Sequence, residues 1–181
     1  DKDKKDVHIQ TVLNHFEIPL DYSDTYSFTR QEAMQFIENE SHGEMIDAII
    51  GKYKMMEQNF DFTVMEGSDF TGEGVAIEFE LNLLIAKNLS SPAILVVSGE
   101  CKTVGQIVNE SLNFLHNFKD HDIQVLAMIV NKVNPEQYEL VKDILSNQLS
   151  GDVILSVIPD DPGLKSPTVK EIFEYLNGEL L

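Results

Sequence analysis

Phe60-Asp61-Phe62-Thr63-Val64-Met65-Glu66-Gly67-Ser68-Asp69-Phe70-Thr71-Gly72-Glu73-Gly74 is the stretch around which the rest of the chain can be arranged. Its first part, Phe60 to Met65, is apolar and rich in aromatic and β-branched residues, which predicts a short buried strand. That strand is expected to end on the Glu66 carboxylate and to open into a loop containing Gly67, Gly72 and Gly74. A helix should follow at once, from Ala76 to Leu89, with Ile77, Leu81, Leu84, Ile85 and Leu89 as its apolar positions. Ligands of open α/β sheets bind outside the carboxyl ends of the strands, so Glu66 and Gly67 stand first among the candidate binding residues.

Towards the carboxyl end the pattern repeats. Pro92 to Val97 predicts a second buried strand, and Thr103 to Phe118 an amphipathic helix with Val104, Ile107, Val108, Leu112 and Leu115 on one face. Ile123 to Val130 predicts a third strand, closed by Asn131-Lys132, and Pro135 a helix start that runs to about Leu149. Val153 to Ile158 predicts a fourth strand ended by Pro159, and Pro167 opens a last helix through Ile172, Phe173 and Leu176. Four continuous apolar runs, each separated by one helix, predict an α/β fold with a mostly parallel sheet covered on both faces, in three layers and one domain.

Towards the amino end the signals are helical. Val7, Val12, Leu13 and Phe16 have helical spacing, and Glu17 to Thr29 is an irregular segment broken by Pro19. Thr29 with Glu32 is a capping-box pattern that opens a helix at Arg30. Ser41 with Glu44 repeats the pattern before a stripe of Met45, Ile46, Ile49, Ile50, Tyr53 and Met56, and Met45, Met55 and Met56 are read as core filler. The chain starts on Asp1 and moves straight into a helix, which is read as a piece of a longer, multidomain protein.

Composition narrows the function. The 181 residues are 43% hydrophobic, enough for a sizeable core. A formal net charge of −18, from 31 acidic and 13 basic residues, repels nucleic acid and anionic lipid, so neither is expected as a partner. No apolar run is long enough to span a membrane. A single cysteine, Cys101, fits a reducing, cytoplasmic setting.

The chemistry-bearing motifs are few. Glu66 could hold Mg²⁺ or position a water, with Gly67 and its neighbours admitting a ligand to backbone N–H groups; it could equally be a turn acid facing solvent. Asp69 and Glu73 in the same loop would repel an anion unless a metal compensates. Asn131, followed by Lys132, could present its amide to the edge of a base, or could tie two loops together. Cys101 beside Lys102 is read as structural, since no histidine is near it in sequence. His8, His15, His42, His116 and His121 lack metal-ligand spacing. No Gly-x-x-x-x-Gly-Lys-Ser/Thr segment occurs, so a triphosphate has no ready seat.

Several of these segments resemble a known family. Phe62-Thr63-Val64-Met65-Glu66-Gly67, Glu80-Leu81-Asn82-Leu83-Leu84-Ile85-Ala86-Lys87-Asn88-Leu89, Val125 to Asn134, and Val157 to Val169 with its Pro159-Asp160-Asp161-Pro162-Gly163 turn are similar to the amino-terminal domain of long bacterial phosphate acetyltransferases. That domain is itself similar to dethiobiotin synthetase and the cobyrinic acid diamide synthases, P-loop proteins that activate carboxylates with ATP. The resemblance implies a P-loop-type α/β fold whose first strand and phosphate loop are absent here. It implies Glu66 as the Mg²⁺ ligand and Asn131 as the adenine contact of an intact nucleotide site. It also implies a regulatory or assembly role without acetyl transfer, the other domains of a parent chain as partners, and homo-oligomers. The alternative it leaves is an ATP-dependent carboxylate-activating enzyme.

Overall fold

The computed structural model of the chain describes residues 5–39, 41–67 and 75–166, with the backbone alone at positions 30, 75–78 and 165. The expected loop from Ser68 to Gly74 and the expected helix after Pro167 therefore lie outside the described residues. The chain divides into two compact units, Asp1–Leu89 and Ser90–Leu181. Among the described residues no helix is long and apolar enough to cross a membrane.

The first unit is helical: α1 is Val7–His15, α2 Arg30–Glu38, α3 His42–Glu57 and α4 Val75–Asn88. Asp6 starts α1 by accepting hydrogen bonds from the His8 and Ile9 N–H groups. The stripe predicted on α1 is not a buried one, because Val7, Val12 and Phe16 are all exposed. Thr29 and Glu32 form the expected reciprocal capping box on α2. The matching Ser41–Glu44 box does not form. At ψ 41° Ser41 lies outside the extended conformation that aims an N-cap side chain at the helix, and its hydroxyl donates to the Asn39 carbonyl instead (3.4 Å). Ala33, Met45 and Leu81 make the core, with Phe28, Phe36, Ile49 and Ile85 packed on it. Met45 is core as expected, whereas Met55 is exposed.

The predicted strand from Phe60 to Met65 is not one. Residues 62–67 carry no ladder, and Phe62 and Val64 are 84% and 80% exposed. A strand exists only through hydrogen bonds to a neighbour, and the described part of this unit contains helices and no second strand.

The second unit holds the sheet: β1 is Ala93–Ser98, β2 Val125–Val133 and β3 Ile154–Pro159, parallel and in spatial order β1-β2-β3. The crossovers are α5, Val104–Asp120, and α6, Tyr138–Gln148, which is entered through a 3-10 turn at Pro135–Gln137. Thr103 and Gln106 form a capping box that starts α5 where the sequence places it. Alternate strand residues Leu95, Val97, Met128 and Val130 are buried beneath α5 and α6, with Ile107, Leu115, Val141 and Leu145 as the helical half of this core. Residues of the opposite alternation differ: Ile94, Val96 and Ile154 are 57%, 61% and 70% exposed. The α/β class and the parallel sheet are as predicted, but in this unit a continuous apolar run does not mean burial of every residue along it.

Candidate functional site

The candidate residues fall into both units, and each group is described within its own. In the first, Glu66 lies in the segment 62–67, which belongs to no helix or strand, and it is exposed. Gly67 follows, and it is a glycine for a visible reason. A Cβ placed there would lie 3.1 Å from Cγ, Nδ2 and Oδ1 of Asn82 on α4, closer than side chains ordinarily pack. Asn82 escaped sequence reasoning as a site residue. The signal was a lone carboxamide within the apolar run Leu81-Asn82-Leu83-Leu84, where burial of a polar group needs a reason.

Glu66 offers one carboxylate. Among the described residues no group of three or more His, Cys, Asp or Glu side chains could hold a metal. Mg²⁺ keeps most of its waters and is commonly held by one or two carboxylates together with substrate phosphates. The donor set at Glu66 therefore fits a Mg²⁺ ion that arrives with a phosphate ligand, and does not fit a metal held by protein alone.

In the second unit the carboxyl ends of β1 and β2 are knitted together. The expected strand end at Asn131-Lys132 is instead a bulge: pairing with β3 shifts register between Val130 and Val133, and the strand runs on to Val133. Lys132 takes a left-handed conformation at φ 59° to make it, a strained choice for a side chain with a Cβ. The Asn131 side chain supports the bulge, its Oδ1 accepting the Lys132 N–H at 2.9 Å, while its backbone carbonyl accepts the Gly99 N–H at 2.7 Å. Asn131 thus joins the β1 and β2 loops through its main chain, and its Nδ2 donates no hydrogen bond among the described residues. Sequence spacing could not reveal this, because a bulge is a property of pairing.

Lys132 Nζ lies 3.2 Å from Glu100 Oε2 across the same edge. Both groups are over two-fifths exposed, so the pair contributes at most about 1 kcal/mol. Gly99 is the tightest point: a Cβ there would meet Val133 Cγ2 at 2.9 Å and Val133 Cα at 3.0 Å. From β2 the line continues to β3, where the Asp160 N–H donates to the Val133 carbonyl at 2.7 Å. Cys101 is exposed beside this edge at φ 57°. Two open grooves lie elsewhere, one of about 630 Å³ including Tyr26, Glu32 and Lys52, the other of about 380 Å³ along α5 including Lys102, Asn109 and Phe114. Neither is lined by Glu66, Gly67, Asn131 or Lys132.

Comparison with known proteins bears out the resemblance. A phosphate acetyltransferase of Nitratidesulfovibrio vulgaris is 30% identical over 183 residues, an overlap of 99% of this chain and 26% of the relative. A phosphate acetyltransferase of Synechocystis sp. is 32% identical over 180 residues, covering 98% of this chain and again 26% of the relative. The chain thus spans about a quarter of the length of these relatives. No solved structure gives a significant match. A family profile described as an AAA domain matches residues 1–168, and with the parallel α/β sheet in place this shows that the chain belongs to the AAA-domain family.

Proposed function

We propose that this chain is a regulatory and assembly domain of a phosphate acetyltransferase, and that it carries no acetyl transfer of its own. The observation that supports this most is the coverage: nearly the whole chain aligns with two proteins of that name, yet with only 26% of each. The reaction of the parent, acetyl-CoA and phosphate exchanging with acetyl phosphate and CoA, is assigned on this reading to the remaining three-quarters. The partners are then those other domains and further copies of the parent, in the cytoplasm.

Within that role Glu66 and Asn131 are the residues proposed to sense a ligand. On the resemblance, Glu66 would supply one oxygen to a Mg²⁺ ion that arrives with a phosphate ligand, and in the other unit the Asn131 amide keeps a donor suited to the edge of a base. The purified chain is expected to make no acetyl phosphate from acetyl-CoA and phosphate, and either that activity or ATP hydrolysis would overturn the proposal. ATP hydrolysis coupled to carboxylate activation would move the chain to the dethiobiotin-synthetase-like alternative. Glu66→Ala is expected to leave stability unchanged and to weaken Mg²⁺-dependent nucleotide binding, as read by titration calorimetry.

A further inference from the structure

We infer that Asn82 is a positioning residue for Glu66 and Gly67, and that α4 takes over the role a neighbouring strand would otherwise play in fixing the direction of Glu66. Three observations converge within the first unit. Residues 62–67 belong to no strand, so among the described residues no ladder holds the backbone at Glu66. The Cβ position of Gly67 is equidistant, at 3.1 Å, from the Cγ, Oδ1 and Nδ2 atoms of Asn82. A point equidistant from three atoms of a planar group lies over its face, so the carboxamide is stacked flat against the Gly67 α-carbon.

The third observation is the stiffness of the support. Leu81 and Leu83 on either side of Asn82 are each 4% exposed, and Leu81 belongs to the core with Ala33 and Met45. A half-buried carboxamide between two anchored leucines has little freedom, and a glycine is the one residue that lets a backbone come this near to it. Where groups behind a ligand residue are removed, affinity for the metal commonly falls by roughly 10–100-fold. This inference rests on the proposed reading of Glu66 only for its consequence in binding; the contact itself stands apart from it.

The test separates the two. In the intact chain, the backbone order parameter of Gly67 from ¹⁵N relaxation is expected near the rigid value of about 0.85, and Asn82→Ala is expected to lower it towards the flexible range below about 0.6. Asn82→Asp, which keeps the shape, should restore it. Should Asn82→Ala fail to fold, Gly67→Ala approaches the same contact from the other side and should displace the carboxamide, lowering order at Glu66. An unchanged order parameter in the folded variants overturns the inference. Titration of the same proteins with Mg²⁺ and ATP then reads the consequence: a loss of roughly tenfold or more in Asn82→Ala supports both claims. Lost order, with no binding of Mg²⁺ and ATP even by the unaltered chain, keeps Asn82 as a positioning residue and removes Glu66 from ligand binding.

Discussion

Residues 60–67 and Val125–Val133 both read in the sequence as strand-forming runs with apolar and β-branched residues, the first with Phe60 and Phe62 and the acids Asp61 and Glu66, the second without an aromatic residue. The second is the middle strand of a parallel sheet, with Met128, Val130 and Val133 fully buried under α5 and α6. The first lies in a unit whose described residues form helices and no ladder, and it leaves Phe62 and Val64 almost wholly exposed. What decides between them is pairing: β2 has a partner strand on each side to take its N–H and C=O groups, whereas among the described residues segment 60–67 has no partner strand, its Phe60 N–H donating to the Met56 carbonyl and its last glycine lying against the Asn82 carboxamide.

The largest expected effect breaks this comparison at its strong end. Met128→Asp buries an uncompensated charge and should cost several kcal/mol, on the order of the whole stability of the unit. Ile129→Asp, half-buried on the less covered alternation, should cost less, and Val64→Asp should fall within about 0.5 kcal/mol. Urea midpoints of the three variants give the ranking directly, and a Val64→Asp protein as unstable as Met128→Asp would mean that segment 60–67 is a buried strand after all.

The two tight glycines sharpen the contrast. Gly99→Ala forces a methyl group against the Cα of Val133, which is backbone and cannot swing aside, so about 1–3 kcal/mol should be lost. At Gly67 the obstacle is the end of a side chain, and Gly67→Ala should cost no more than about 1 kcal/mol in the same denaturation experiment. Helix starts should divide in the same way. Thr103→Ala removes a formed cap and should cost about 1 kcal/mol, while Ser41→Ala removes none and should be close to neutral in thermal melts.

The smallest effect concerns pH. Its hydrogen bond with the Ser150 side chain, one to its own backbone N–H, and the Lys119 charge hold the Asp152 carboxyl below its ordinary value of 3.8. A depressed folded value contributes stability that is present above 3.8 and is lost as the pH falls through the folded value. Asp152→Asn should therefore be slightly less stable than the unaltered chain at neutral pH and indistinguishable from it in strong acid, as read by urea midpoints along a pH series.

Much of this was legible in the residues. The helices α2 to α6 and the strands β1 to β3 lie within a few positions of where periodicity and capping residues put them, because 3.6-residue spacing, Thr29 and Thr103 act locally. The candidate Glu66 was legible as a carboxylate before a glycine. Its support was not, since the contact between Gly67 and Asn82 joins positions fifteen apart through the packing of α4. The bulge at Asn131-Lys132 was hidden for a related reason: nothing in the order of residues says that two partners of β2 demand different registers.

Taken alone, the sequence determined the α/β class, the crossover helices, the acidic surface and the family resemblance, all of which follow from local spacing and composition. Only the tertiary structure decided which apolar runs became strands, because a strand is completed by a neighbour's hydrogen bonds and not by its own residues. It likewise decided that Gly67 and Gly99 are glycines for want of room, and that Asn131 spends its oxygen on its own backbone.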